Sequence, residues 1–153
     1  MMKSDVEAYL HKHIPITQAM GVSVDGATSD KVVLSAPIAN NINHKETVFG
    51  GSLQAVATLA CWSLLFVRLK NIGVKAQIVI AGNEVAYHKP VDADFNVECL
   101  APEALAWERF TKMLKSKGKA RIKLSASLHH RGRLAMSFQG TFVALVNGDQ
   151  NKM

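Results

Sequence analysis

The sequence predicts an α+β domain in which an antiparallel β-sheet wraps around one long apolar helix. Three observations predict it. The first is Leu53–Val67, fifteen residues without a charge, opened by Gly50-Gly51-Ser52 and followed by Gly73. The second is a series of alternating apolar patterns on both sides of that helix. Val22 and Val24, then Val32, Leu34 and Ala36, precede it; Phe95, Val97 and Cys99, then Ile122 to Leu128, then Met136 to Val146, follow. The third is the tight turns at Ser29-Asp30 and Arg131-Gly132, which make neighbouring strands antiparallel hairpins. A helix apolar nearly all round has to be enclosed, and a hairpin sheet with one apolar face encloses it by wrapping.

Each element follows in order. At 153 residues, with 48% hydrophobic and 20% charged residues, the chain suits one soluble domain, 1–153. Met1–His13 reads as a short amphipathic helix. It lacks the apolar centre of a signal peptide, which places the protein in the cytoplasm. Gly21–Thr28 and Lys31–Ile38 are strands, and Pro37 ends the second. Residues 39–49 form a polar loop, long for a compact domain and therefore a candidate for function. The main helix runs from Gly50/Gly51 to about Lys70, with Ser52 helping to cap it and Arg68 and Lys70 at the favourable end of its dipole. Thr47–Val67 is long enough to span a membrane, yet Gly50, Gly51, Ser52, Gln54, Thr58 and Ser63 favour an enclosed core helix. A strand begins at Ala76 and continues past Gly82, where a bulge or a close approach is expected, through Tyr87 to Pro90. Pro102 opens a second helix at Glu103–Lys117, with Leu105, Phe110, Met113 and Leu114 as its inner face and Gly118 as its stop. Beyond Gly148 the tail is polar and loose.

The chemistry concentrates at Asn43-His44-Lys45-Glu46-Thr47-Val48-Phe49-Gly50-Gly51-Ser52. Two glycines let a ligand approach the backbone, and the free N–H groups of a helix start then face it. Such a site polarises a carbonyl. The same residues also suit a plain glycine turn opening a buried helix. Other groups offer less. Cys61 and Cys99 read as reduced small hydrophobes, and nothing near Cys61 in sequence lowers its pKa. Six histidines show no ligand spacing with cysteine or acid, which predicts no metal. Trp62 and Trp107 read as packing residues.

The net charge is +6, and the excess is local: Arg109–Arg133 holds nine Lys or Arg and no acid. The stretch lacks a zinc-finger spacing, a recognition-helix pattern and interleaved aromatics beyond Phe110, which counts against nucleic acid. An acidic protein partner suits it, as does a plain solvated basic face.

The chain resembles hotdog-fold proteins of the thioesterase superfamily over about residues 3–147. Ile14-Pro15, Met20-Gly21-Val22, the Asn43–Ser52 loop, the enclosed helix, and Tyr87-His88-Lys89-Pro90-Val91-Asp92-Ala93-Asp94 carry the resemblance. The helix at Glu103–Lys117 and Gly118-Lys119-Ala120-Arg121 are similar to a bacterial putative-thioesterase group that occurs alone or fused to an acetyltransferase domain. Members of that group are linked to decarboxylation of malonyl-acyl carrier protein.

The resemblance implies an oxyanion hole at the Gly50 and Gly51 N–H groups, with Asn43 beside the thioester. It implies an active site at the interface of a homodimer, which a tetramer would extend. It implies no cofactor beyond the phosphopantetheine arm of acyl carrier protein or coenzyme A. Lys115, Lys117, Lys119, Arg121, Arg131 and Arg133 are the expected carrier-binding cations. Two departures stand out. Phe49 occupies the place of a histidine found in many relatives, and Thr58 the place of the helix carboxylate of hydrolytic ones. No acid occurs from Thr47 to Lys75, so a hydrolytic base would have to be Glu46 or Glu84, the latter from the strand after the helix and facing the partner's site. Decarboxylation through an enolate needs the hole and an apolar pocket but no base, and fits better. His44 and Tyr87 are further candidates for contact with the substrate.

Overall fold

A computed structural model describes residues 1–146; the tail from Gly148 lies outside them. Helix α1 (Lys3–His13) buries Val6 and Leu10, and the Glu7 carboxylate accepts the Val24 N–H at 2.8 Å, fixing the helix on the first strand. A short helix α2 (Ile16–Ala19) follows Pro15. Strands β1 (Ser23–Ala27) and β2 (Lys31–Ala36) form the expected hairpin. Helix α3 (Gly50–Asn71) is the central helix. Then come β3 (Ala76–Tyr87), β4 (Phe95–Leu100), helix α4 (Ala104–Lys117), β5 (Lys119–His130) and β6 (Arg133–Val146).

The six strands form one sheet in the order β1-β2-β4-β5-β6-β3, and every neighbouring pair is antiparallel. The sheet wraps α3, which packs against all six strands. Val56, Ala57, Ala60, Cys61, Leu64 and Leu65 of α3 are fully buried against Leu34, Val97, Leu128 and Phe142 of the sheet. This explains why a helix apolar enough to cross a membrane is a core element here. The turn at Arg131-Gly132 has φ of 53° and 76°, the two-residue geometry that matches strand twist.

Two features position the site. The first is β3, a sheet edge that is exposed along most of its length. Its pairing with β6 shifts register between Ile80 and Gly82, and a Cβ at Gly82 would meet nothing within 4 Å. Gly82 therefore marks a bulge and not a close approach. The second is α4. The β4–β5 ladder holds Glu98↔Ser127 and Cys99↔Ala126, and α4 packs along the earlier part of β5 that β4 leaves open.

One expectation for α4 needs correction. Phe110 and Leu114 are buried, but Leu105 and Met113 are exposed. The inward stripe is the buried Phe110 and Leu114 with the half-buried Trp107, spaced three and four residues apart, because α4 meets both β5 and the end of α3. There the Arg68 guanidinium lies 4.3 Å from the centre of the Trp107 ring and donates to the Ser29 carbonyl. Burial lowers the Arg68 pKa from its ordinary value, and nearby Asp30 partly offsets this.

Candidate active site

The loop before α3 is a miniature hairpin. The Asn43 N–H donates to the Thr47 carbonyl at 2.8 Å, Ile42 pairs with Val48, and the Phe49 N–H donates to the Asn41 carbonyl at 2.8 Å. Its base is held twice. The Val48 N–H donates to the Val91 carbonyl, and the buried Asn41 amide donates to the Met20 and Pro37 carbonyls. Asn41 gave no sign of this in sequence, because its partners lie in other segments.

This hairpin delivers the chain to the start of α3 with Phe49 as the N-cap, extended at φ −57°, ψ 131°. The Ser52 and Leu53 N–H groups donate to the Phe49 carbonyl at 2.9 and 3.2 Å. The Gly50 and Gly51 N–H groups have no acceptor among the described residues. Two unsatisfied donors at the positive end of a 22-residue helix form a site for developing negative charge. No acid lies in the first turn of α3 to quench it.

Side chains frame these donors. The Tyr87 hydroxyl donates to the Gly50 carbonyl at 3.0 Å, and the Tyr87 ring lies over Gly50, 3.5 Å from where a Cβ would stand. The exposed Phe49 ring covers Gly51 so closely that a Cβ there would come within 2.3 Å of it. A hollow opens on each side of the glycine pair. On the Gly50 side, about 280 Å³ is lined by Val48, Leu53, Tyr87, His88, Lys89 and Val91. On the Gly51 side, a trough of about 410 Å³ is lined by Ile14, Ile16, Met20, Ala55, Thr58 and Trp62, among others.

The other expected residues divide between inside and outside. Asn43 is bound into its own loop: its Oδ1 accepts the Lys45 and Thr47 N–H groups at 2.8 and 3.1 Å, and its Nδ2 donates to Thr47 Oγ1 at 2.9 Å. One Nδ2 hydrogen is left over. His44 and Glu46 are exposed at the loop tip, where Glu46 takes φ 63°. Thr58 lines the trough, but its hydroxyl donates back to the Gln54 carbonyl at 2.9 Å.

Within its own chain Glu84 does not join the site. Asn83 accepts a hydrogen bond from Gln54 of α3, and Val85 packs on the core. The residue between them points to the other sheet face, into a separate hollow with Lys123, Ser125 and Gln139. His88 Nε2 lies 3.1 Å from Ser137 Oγ, which lines that same separate hollow. Cys61 is buried beside Cys99; their contact, then burial, pushes the Cys61 thiol up, which suits packing and not catalysis.

The basic run splits in two. Lys115 and Lys117 end α4, and Lys119 and Arg121 begin β5. Arg131 and Arg133 lie at the far tip of the β5–β6 hairpin, roughly 36 Å away at 3.3 Å per strand residue. The tip is the end near Gly50, since Tyr87 pairs with Met136 and the Lys89 N–H donates to the Ala135 carbonyl. It is pinned by Asp92, whose carboxylate lies 2.7 Å from His130 Nε2 and 3.2 Å from Arg131. The His130 contact, with Arg131, holds the Asp92 carboxyl below its ordinary value. Among the described residues, no group of three or more His, Cys, Asp or Glu is placed to hold a metal.

Comparison with known proteins agrees with this geometry. A protein of unknown function from Chlorobaculum tepidum TLS superposes with TM-score 0.89 at 28% identity, covering 95% of this chain and 94% of that one. A putative thioesterase from Shewanella oneidensis superposes with TM-score 0.83 at 27% identity, over 94% and 96%. A probable thioesterase of unknown function from Pseudomonas aeruginosa shares the fold with TM-score 0.82 at 18% identity, over 96% and 97%. The family model "Putative thioesterase (yiiD_Cterm)" matches residues 3–146. The wrapped helix, the glycine step at its start and this match together make the chain a hotdog-fold member of that thioesterase family.

Proposed function

We propose that this thioester-processing protein decarboxylates a malonyl thioester carried on acyl carrier protein, giving the acetyl thioester. The observation that carries this reading is the pair of free N–H groups at Gly50 and Gly51 beside hollows to which this chain contributes no carboxylate side chain. When the carbon–carbon bond to the departing carbon dioxide breaks, its electron pair moves into the thioester carbonyl and charge develops on that oxygen. Donors fixed in advance stabilise this charge without reorganising, each worth about 2.7–4 kcal/mol in enzymes where one has been removed. A proton taken up from solvent at the enolate carbon completes the acetyl group.

The small Gly50-side hollow suits the short malonyl group, with Val48, Leu53 and Val91 as apolar wall and Lys89 as the one cation in its lining. Asn43 shapes the loop and has one amide hydrogen left for the substrate. Tyr87 positions Gly50. Hydrolysis is the second reading, since the trough on the Gly51 side would take a longer acyl chain. It needs a base for water, and the two acids considered for that role lie at the loop tip and on the opposite sheet face.

The same reading includes a cytoplasmic homodimer joined through the open edge of β3, which places Tyr87 and Asn83 of each site at the interface. The hairpin-tip cations Arg131 and Arg133 are the carrier contacts of this reading nearest the site within one chain. Lys115, Lys117, Lys119 and Arg121 lie at the other end, and β3–β3 pairing in antiparallel fashion brings that end towards the partner subunit's site. A carrier incubation tests the chemistry: acetyl-carrier as product supports decarboxylation, and released thiol supports hydrolysis.

A further inference from the structure

The Gly51-side trough is larger than a malonyl group requires. Its floor is one stripe of α3: Gly51, Gln54, Ala55, Thr58, Leu59 and Trp62, at intervals of three and four residues. The facing wall is Ile14, Ile16 and Met20. The lining contains no ionisable side chain. Its two polar side chains, Gln54 and Thr58, are turned to Asn83 and to the helix backbone. At about 410 Å³ it falls in the range of small-molecule sites, about 300–1,000 Å³.

The far end of the trough is Trp62, which is held in place. Its ring stacks on Phe66 at 4.9 Å and on Tyr9 at 5.7 Å between centres, and its Nε1–H donates to the Ile78 carbonyl at 3.2 Å. Gly51 to Trp62 spans about 16 Å at 1.5 Å per helical residue. A carbon zigzag with bonds of about 1.5 Å advances about 1.25 Å per bond and covers that distance in roughly thirteen to fourteen carbons.

We infer that the trough seats a saturated alkyl chain of that length, with its carboxyl or thioester end at the Gly50 and Gly51 N–H groups and Trp62 as the residue that sets the limit. This rests on the reading of that glycine pair as the seat of the carbonyl. An acyl thioester of that chain length then occupies the same hole as the malonyl group and excludes it.

The test is calorimetric binding of free saturated fatty acids, from about eight to about twenty carbons, to the whole protein. No turnover is involved, so absence of decarboxylation leaves the result intact. Affinity rises about fourfold per methylene up to roughly thirteen to fourteen carbons and then levels. Trp62→Ala moves the break to longer chains, and Thr58→Trp, one helical turn nearer Gly51, moves it to shorter ones. Thr58→Trp keeps the test decisive if Trp62→Ala fails to fold. Absence of binding, an unbroken rise through the longest chain, or a break unmoved in folded variants overturns the inference.

Discussion

The Tyr87 hydroxyl and the Gly50 carbonyl are joined by a 3.0 Å hydrogen bond that ties the last residue of an edge strand to the first residue of the central helix. The bond orients the peptide that carries the Gly51 N–H, so Tyr87 acts on the carbonyl site through the backbone. Tyr87→Phe keeps the ring over Gly50 and removes only the bond. A hydrogen bond of this kind contributes about 0.5–1.5 kcal/mol. The expected result is a fall in turnover of roughly threefold to tenfold, with little change in the denaturant midpoint because Tyr87 is half exposed.

Gly50 and Gly51 respond differently to a methyl group. Alanine at Gly50 makes an ordinary contact with Tyr87, whereas alanine at Gly51 collides with the Phe49 ring. Phe49 is exposed and swings aside, so Gly51→Ala folds, but the displaced ring and the new methyl crowd the N–H groups. Steady-state rates are expected to fall much more in Gly51→Ala than in Gly50→Ala, with similar melting temperatures.

Asn43 has separable roles. Asn43→Asp keeps the Oδ1 that accepts from Lys45 and Thr47 and removes the amide hydrogens. Asn43→Ala removes both. If the remaining hydrogen contacts substrate, both variants lose activity while Asn43→Asp retains the stability of the loop. Full activity in Asn43→Asp assigns the residue to the loop alone. Comparing rates with the hydrogen-exchange protection of the Asn43 and Thr47 amides separates the two.

Much of this was legible in sequence, and the failures have physical causes. The α3 boundaries follow from the uncharged run Leu53–Val67 and the glycines that flank it, Gly50-Gly51 and Gly73. The hairpin turn follows from Arg131-Gly132, and the bulge is one of the two readings that Gly82 allows. That bulge is also why the facing of Glu84 could not be counted from Ala76: one extra residue inverts the parity of everything after it. Leu105 and Met113 looked internal because α4 has apolar residues on more than one face, and only contact with β5 and Arg68 selects among them. The basic run looked like one patch until a twelve-residue strand carried its two halves apart. The trough is not legible in sequence: Trp62 packs, as its surroundings suggest, and it also ends a hollow formed with the distant Ile14 and Met20.

Acid should loosen the hairpin tip. The folded-state pKa of Asp92 is depressed below its ordinary 3.8, by His130 first and Arg131 next. A depressed carboxylate contributes stability that is present above the unfolded value and is lost as pH falls through the folded one. Loss is therefore expected from about pH 4 downward. Asp92→Asn should flatten that part of the pH profile of unfolding, measured by denaturant midpoint at each pH.

The open β3 edge predicts a dimer that one charge disrupts. Ile80 is partly exposed on that strand, and a lysine there opposes strand pairing between copies. Light scattering should show the mass of Ile80→Lys fall to that of the monomer, with activity lost in parallel if the site is shared.

The central claim is that the Gly50–Gly51 step stabilises an enolate and not a tetrahedral hydrolysis intermediate. Intact-protein mass spectrometry of malonyl-acyl carrier protein incubated with catalytic amounts of this protein tests it most directly. The account predicts a carrier lighter by one carbon dioxide, still acylated, and no such product with Gly51→Ala. Unchanged malonyl-carrier, or free carrier thiol with released malonate, would contradict it.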